Sequence, residues 1–275
     1  MVTVTFVKIG YIGTTIIIEA LLDERSARKD IKMRVISCAV SMDVEDAEDV
    51  ARIAAGIESD LYVVVSPNAA LKGPTAARDI LAETGKPIIV VSDAPSRKAV
   101  KELPENMGYF IIYGDPMISA KSAFLDPVEM ASFNGDVLKV LAVTGAFRLI
   151  QSELDRVIDE RKEGKKPELP RIVITKSRAL AASEIQNPYA QGKAMAAYEI
   201  ARTVASLSTE AVFKLKEREE AIPVLTAAHE AIRQAAKLAD EAREIEKAND
   251  TVVRIAHFSK GNRRRKVKLY DKFEK

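Results

Sequence analysis

The sequence predicts an α/β protein: a Rossmann-like, doubly wound parallel sheet over residues 1–125, then over 126–275 a helical bundle half with short strands and a basic C-terminal tail. Two observations carry this expectation. Up to about Gly114, short β-branched runs alternate with helix-length segments, as in strands joined by crossover helices. After about Leu125 the pattern changes to long alanine-rich helices, with no low-complexity linker and no internal repeat.

Five runs read as strands: "TVTFVKI" (3–9), "IKMRVISCAV" (31–40), "DLYVVVS" (60–66), "KPIIVVS" (86–92) and "GYFIIYG" (108–114). Four of them end in turn-forming loops: Gly10 to Thr15, Ser66 to Asn68, Ser92 to Pro95 and Gly114 to Met117. Parallel sheets bind ligands at the carboxyl ends of their strands, where the strand order reverses, so these loops are the predicted site. A long helix is expected over 125–161, opened by Asp126 as cap and Pro127 at the first helical position. The charged, proline-bearing "EGKKPELP" connects it to "RIVIT" (171–175), a short strand. A helix over 187–207 follows, and "AVFKLK" (211–216) reads as a second short strand. The last helix, 223–249, places Ile232, Ala235, Ala239, Ala242 and Ile245 on one face, with small residues that permit close packing.

Composition narrows the function classes. With 47% hydrophobic residues the chain has ample material for a packed core. The balance of 42 Lys+Arg against 40 Asp+Glu, net +2, gives no reason to expect nucleic acid or an anionic membrane as the main partner. The lone Cys38 excludes an internal disulfide and multi-thiolate metal sites, and suits a reducing cytosol. The opening segment lacks a signal-peptide pattern, and no run approaches the roughly 20 apolar residues that span a bilayer. A cytoplasmic location is expected.

The opening "VKIGYIGTT" resembles a G-x-G-x-x-G phosphate loop after a first strand, but Lys8 stands where the first glycine belongs. The second strand offers no carboxylate before Asp43 to hold an adenosine ribose. Weak binding of NAD and NADP follows. Two readings stay open: a tight turn with no ligand, or a helix N-terminus with Thr14 and Thr15 that receives a different ligand. His229 and His257 lie far apart without metal-ligand spacing, so no metal site is expected, and no nucleophile-elbow motif supports a hydrolytic triad. His229 reads as a packed helix residue or a cleft residue. The basic run "KGNRRRKVK" (260–268) reads either as a solvated tail or as an ordered electrostatic guide for anionic ligands.

The segments "LLDERSARKDI", "SPNAALKGPTAARDIL", "SDAP", "DPMISAKSAFLDPVEMASFN", "NPYAQGKAMAAYEIA" and "AAHEAIRQAAKLADEAREIEKANDTVVRIAH" together resemble, over nearly the whole chain, the coenzyme F-420-dependent methylenetetrahydromethanopterin dehydrogenases of archaea. That resemblance implies an oxidoreductase of one-carbon metabolism and methanogenesis. Hydride would pass between the methylene carbon of a tetrahydromethanopterin derivative and the dissociable deazaflavin coenzyme F-420, in homo-oligomers usually described as hexamers, with no metal. Direct transfer needs no catalytic side chain, only close positioning and exclusion of water. An incomplete nucleotide fingerprint then makes sense, because a deazaflavin has no adenosine ribose to grip. Cofactor- and substrate-binding candidates are Gly10, Gly13, Thr14, Thr15, Ser66, Asn68, Ser92, Asp93, Asp115, Met117, Lys121, Asp126 and His229. Departures fall in the same loops: family members usually carry asparagine in place of Tyr11, Ala-Pro in place of Leu71-Lys72, and glycine with a further basic residue in place of Ser119 and Ser122. They keep open a non-catalytic or divergent pterin- or deazaflavin-binding paralog.

Overall fold

The computed structural model describes residues 1–118, 121 and 124–274. The five expected strands form as β1 (Val2–Lys8), β2 (Ile31–Ser37), β3 (Leu61–Ser66), β4 (Ile88–Asp93) and β5 (Met107–Ile112), joined at one end by β6 (Arg171–Ile174). Their order is β2-β1-β3-β4-β5-β6. Pairing between the first five is parallel throughout, with Lys8 opposite Val65 and Ser66 opposite Ser92. β6 follows β5 in the same direction, since Tyr109 N–H donates to Pro170 O and Tyr113 N–H to Ile174 O. Every residue of β3, β4 and β5 is buried, which is why these runs read as continuous apolar segments without alternation. β2 closes one edge with Lys32 and Arg34 exposed, charges that discourage further strand pairing.

The order reverses between β1 and β3, as in flavodoxin-like sheets, so the crevice at the switch lies between the loops that follow these two strands. The helices that position this edge are α1 (Gly13–Ile17) after β1, α2 (Val44–Ala55) after β2 and α3 (Lys72–Ala82) after β3.

The expected long helix over 125–161 is two helices, α4 (Pro127–Val143) and α5 (Ala146–Lys162). Asp126 caps the first as expected, accepting from Glu129 N–H at 2.7 Å. Gly145 breaks the run: its φ is +89°, and a Cβ there would collide with Ala179 O and Ser183 N. Beyond β6 come α6 (Lys176–Ser183), α7 (Pro188–Thr209) and α8 (Arg218–Ala248), with Asn187 capping α7 through Tyr189 and Ala190 N–H. The strand expected over 211–216 is absent; Glu210–Lys214 instead prolongs α7 as a π-helical turn. No glycine or proline lies between Leu207 and Leu215 to stop the helix, so its hydrogen bonding carries on into a wider turn. α8 begins five residues before Pro223, which the sequence read as the opening residue; Glu219 and Glu220 give the true first turn its favourable negative charge. α7 and α8 pack along their length through Ala190, Ala194, Ala197 and Ala201 on one side and Ala235, Ala239 and Ala242 on the other, all fully buried or nearly so. The basic run forms strand β8 (Arg263–Lys266), paired with β7 (Arg254–His257).

Contacts group the chain into two compact units. The first comprises Met1–Ile112, Ile150–Val173 and Ala256–Arg264; the second comprises Tyr113–Leu149, Ile174–Ile255 and Arg265–Lys275. The boundary expected near residue 125 falls inside the second unit, because α5, β6 and the β7–β8 hairpin carry the chain back between the two.

Candidate active site

In the first unit the carboxyl ends of β1, β3 and β4 bring eight of the candidate residues to one sheet edge. Gly10 turns the chain out of β1 with φ +74°, and a Cβ there would lie 2.8 Å from Met42 Cγ and 3.0 Å from Pro67 Cδ. Glycine thus lets the β1 loop lie against the β2 and β3 loops. Gly13, Thr14 and Thr15 open α1, and all three are buried. The Thr15 hydroxyl accepts from Ile12 N–H at 3.2 Å, closing the turn on itself. Lys8, the residue in place of the fingerprint's first glycine, is buried at the strand end with its ammonium 2.7 Å from the Glu19 carboxylate.

Ser92 is fully buried and its hydroxyl binds the adjoining loop: it donates to Ser66 O at 2.7 Å and accepts from Ala69 N–H at 3.1 Å. Ser96, not singled out from the sequence, completes the brace, accepting from Ala69 N–H at 2.7 Å and lying 2.7 Å from the Ser92 hydroxyl. Asn68 accepts from Ala70 N–H at 3.0 Å, and Asp93 caps the following turn by accepting from Ala94 N–H at 2.5 Å. Ser66 Oγ is buried with no hydrogen-bond partner among the described residues. The polar side chains at this edge therefore hold the loops in register, while three large apolar side chains stay exposed beside the charged Asp43, Lys72 and Lys98: Tyr11, Val40 and Leu71 remain 39%, 72% and 40% exposed on the loops after β1, β2 and β3. Val40 carried no sequence signal beyond lying at a strand end. Cys38 lies nearby, and burial pushes its thiol up, opposed only by backbone hydrogen bonds, so it is no ready thiolate.

The remaining candidates lie in the second unit. Asp115 is fully buried and Met117 half-buried. Lys121 donates to Leu215 O at 2.8 Å, at the end of the π-helical turn. Asp126 is occupied as the cap of α4. His229 lies within α8, its ring between Phe124 and Phe133 with centroids 4.8 and 4.6 Å away. Its Nδ1 is 2.7 Å from Glu129 Oε1, whereas Nε2 is buried without a partner among the described residues. Ser119 and Ser122 fall outside the described residues.

His257 has a structural contact. It is buried against Asp155, Nε2 to Oδ2 2.7 Å, where it fastens the hairpin to α5. Among the described residues no three His, Cys, Asp or Glu side chains group as metal ligands, and no helix is long and apolar enough to cross a membrane. The basic run forms a strand, and four of its cations already have partners: Arg263 meets Asp159 at 3.2 Å, Arg265 meets Glu184 at 2.6 Å, Arg264 stacks 4.5 Å from the Phe258 ring, and Lys266 donates to Leu269 O at 2.8 Å.

The family model for methylene-5,6,7,8-tetrahydromethanopterin dehydrogenase matches residues 2–274. The chain is 51% identical to the F420-dependent methylenetetrahydromethanopterin dehydrogenase of Archaeoglobus fulgidus and 46% identical to that of Methanocaldococcus jannaschii, in each case over the full length of both chains. It superposes with a TM-score of 0.96, at 42% identity and complete coverage of both chains, on the solved structure of an F420-dependent methylene-tetrahydromethanopterin dehydrogenase in complex with methylene-tetrahydromethanopterin and coenzyme F420. The chain belongs to the methylene-5,6,7,8-tetrahydromethanopterin dehydrogenase family.

Proposed function

We infer that the protein is an oxidoreductase that transfers a hydride reversibly between methylenetetrahydromethanopterin and coenzyme F420. The observation that carries this is the full-length superposition, at 42% identity, on a family member holding both compounds. The reading of a non-catalytic paralog is not favoured, since the match runs through the candidate loops without a gap in coverage. When bound, the deazaflavin supplies the hydride-accepting carbon, and the protein has to align two flat ring systems at about 3 to 3.5 Å and keep water out.

The carboxyl edge fits such rings. The exposed faces of Tyr11, Val40 and Leu71 offer apolar contact, and the braced loops beneath them resist displacement. The Ser66 hydroxyl beneath the rim is buried with no hydrogen-bond partner among the described residues, a polar group that the brace leaves over. In the second unit, Phe124, Phe133 and His229 form an aromatic cluster whose buried His229 Nε2 is likewise unpartnered among the described residues, a second candidate region for a ring. The protein is further read as a cytoplasmic homo-oligomer, hexameric by family resemblance, a state that light scattering measures directly. Mixing the purified protein with methylenetetrahydromethanopterin and oxidised coenzyme F420 should bleach the deazaflavin absorbance in step with substrate. Bleaching no faster than in a protein-free control overturns the assignment.

A further inference from the structure

The second unit contains a pocket that the hydride-transfer reading does not use. It is open to solvent and is lined by Ala142, Val143, Arg148, Ser183, Ile185, Arg243 and Glu246.

Four arginines converge here. Arg148 is fixed in place, donating to Ser183 O and Val253 O at 2.9 Å each, with Glu184 at 3.6 Å. Arg265 binds Glu184 as well, so one carboxylate serves two guanidiniums. Arg254 donates to the carbonyls of Val252 and Val267. Arg243 has neither a hydrogen bond nor an ion pair with any described residue. The other acid in the wall is already committed: Glu246 accepts from Gln186 and Asn187 N–H through Oε1 and from the Thr251 hydroxyl through Oε2, so its charge caps the start of α7. Ser183 Oγ likewise donates to Leu180 O and accepts from Ile185 N–H. The positive charges oppose one another. Burial, with the fields of Arg243 and Arg265, pushes the Arg148 guanidinium below its ordinary value against the pull of Glu184; burial and Arg254 do the same to Arg243 against Glu246 and Glu244.

We propose that this pocket is an anion-binding site that takes a phosphate or carboxylate group between the guanidiniums of Arg148 and Arg243. A guanidinium presents paired N–H donors matched to two oxygens of such a group. Arg148 supplies the rigid half of the site, and Arg243 supplies the free half. Ala142, Val143 and Ile185 add an apolar wall beside the two guanidiniums.

Isothermal titration of the full-length protein with inorganic phosphate, at constant ionic strength, tests this. One saturable site per chain is expected. Arg243→Gln should weaken it about tenfold or more, while Lys237→Gln, a charge change on the same helix away from the pocket, leaves it unaltered. Because the variant loses a repulsion, R243Q in phosphate-free buffer should melt no lower than wild type yet show no rise in Tm on adding phosphate. Absence of saturable binding by wild type up to tens of millimolar, on the order of a negligible affinity, overturns the proposal, as does equal binding by R243Q. The source of the group follows from kinetics. If it belongs to the anionic arm of a dissociable cofactor, phosphate competes with that cofactor and R243Q raises its KM at unchanged kcat. If it is a free anion, KM stays the same and only the Tm effect appears. The binding measurement does not depend on the enzymatic assignment, so either can fail alone.

Discussion

The two edges of the sheet in the first unit are held by different chemistry. At the amino edge, where β2 begins, charges dominate: Arg28 joins Asp30 at 2.8 Å and Asp155 at 2.9 Å, His257 joins Asp155 at 2.7 Å, and Lys162 also reaches Asp30. Arg161 adds a looser contact to Asp60, whose carboxylate accepts from Thr3 N–H at 2.8 Å. At the carboxyl edge the loops are tied chiefly by short hydroxyls, those of Thr15, Ser92 and Ser96, below a rim that exposes Tyr11, Val40 and Leu71, and the fewer charges there are spent locally: Lys8 on Glu19, Asp93 on Ala94 N–H and Arg78 on Ala69 O. A cluster of ions suits an edge that only has to stay closed. An edge that must receive neutral rings does better with groups that satisfy each other locally and leave little charge exposed to desolvation.

The largest effect should come from breaking the charged edge. Asp155 is 1% exposed and faces Arg28, His257 and, at 3.6 Å, Arg263. Asp155→Asn takes one of its two carboxylates from the buried Arg28 and an acceptor oxygen from His257, and a loss of about 2 to 4 kcal/mol in urea unfolding is expected. The kcat of the protein that remains folded should stay near wild type. A loss below about 1 kcal/mol would show that the cluster behaves as surface pairs do.

Acid should open the same edge first. Burial alone would raise the Asp30 carboxyl, but hydrogen bonds and charge from Arg28 and Lys162 outweigh it and hold the group well below its ordinary 3.8. Asp23 is lowered too, by the N–H groups of Ala27, Arg28 and Arg25 acting against burial. A depressed carboxyl stabilises the folded state above the unfolded-state pKa, and that contribution disappears as pH falls through the folded value. Stability should therefore be flat with respect to these groups from neutral down to about pH 5 and decline below about pH 4. Asp30→Asn should flatten the decline, and an unchanged slope in the variant would remove Asp30 from the account.

At the carboxyl edge, Ser92→Ala strips the donor from Ser66 O while Ala69 N–H keeps its bond to Ser96. One buried carbonyl left unsatisfied costs about 1 to 3 kcal/mol. Because the brace sets the β3 loop against the β4 loop, catalytic efficiency should fall as well, unlike in the Asp155 variant. Full activity alongside lost stability would separate the brace from the site.

Much of this was legible in the sequence, and the boundary between legible and hidden is physical. Local signals were decisive where chemistry is local: Asp126 with Pro127 and the apolar runs of β3, β4 and β5 all stand where their patterns put them. The strand order could not be read, because it depends on which runs pair, and so the switch between β1 and β3 and the opposition of Ser66 to Ser92 became visible only in the sheet. Ser96 was missed for the same reason: its role is to reach a loop 27 residues earlier. The basic run left a solvated tail and an ordered guide equally open, because the partners of its arginines, Asp155, Asp159 and Glu184, lie far off in sequence. Gly145 was read through as part of one helix, since a glycine's positive φ and close contact with Ala179 leave no trace in periodicity.

The smallest effect on stability should accompany a clear effect on binding, at Tyr11. Its ring is 39% exposed on the loop between the Gly10 turn and α1. Removing it as Tyr11→Ala should change unfolding free energy by no more than about 0.5 kcal/mol. An aromatic face stacked on a ring contributes about 0.5 to 1.5 kcal/mol beyond area burial, which corresponds to a KM increase of roughly 2- to 12-fold for whichever ring rests on it. The kcat should hold, because a contact made equally in ground state and transition state affects binding without changing the barrier from the complex. Measuring KM separately for the pterin and for coenzyme F420 shows which ring lies there. If neither KM moves, the rim at the carboxyl edge is surface rather than site, and the contrast between the two edges reduces to how each is held shut.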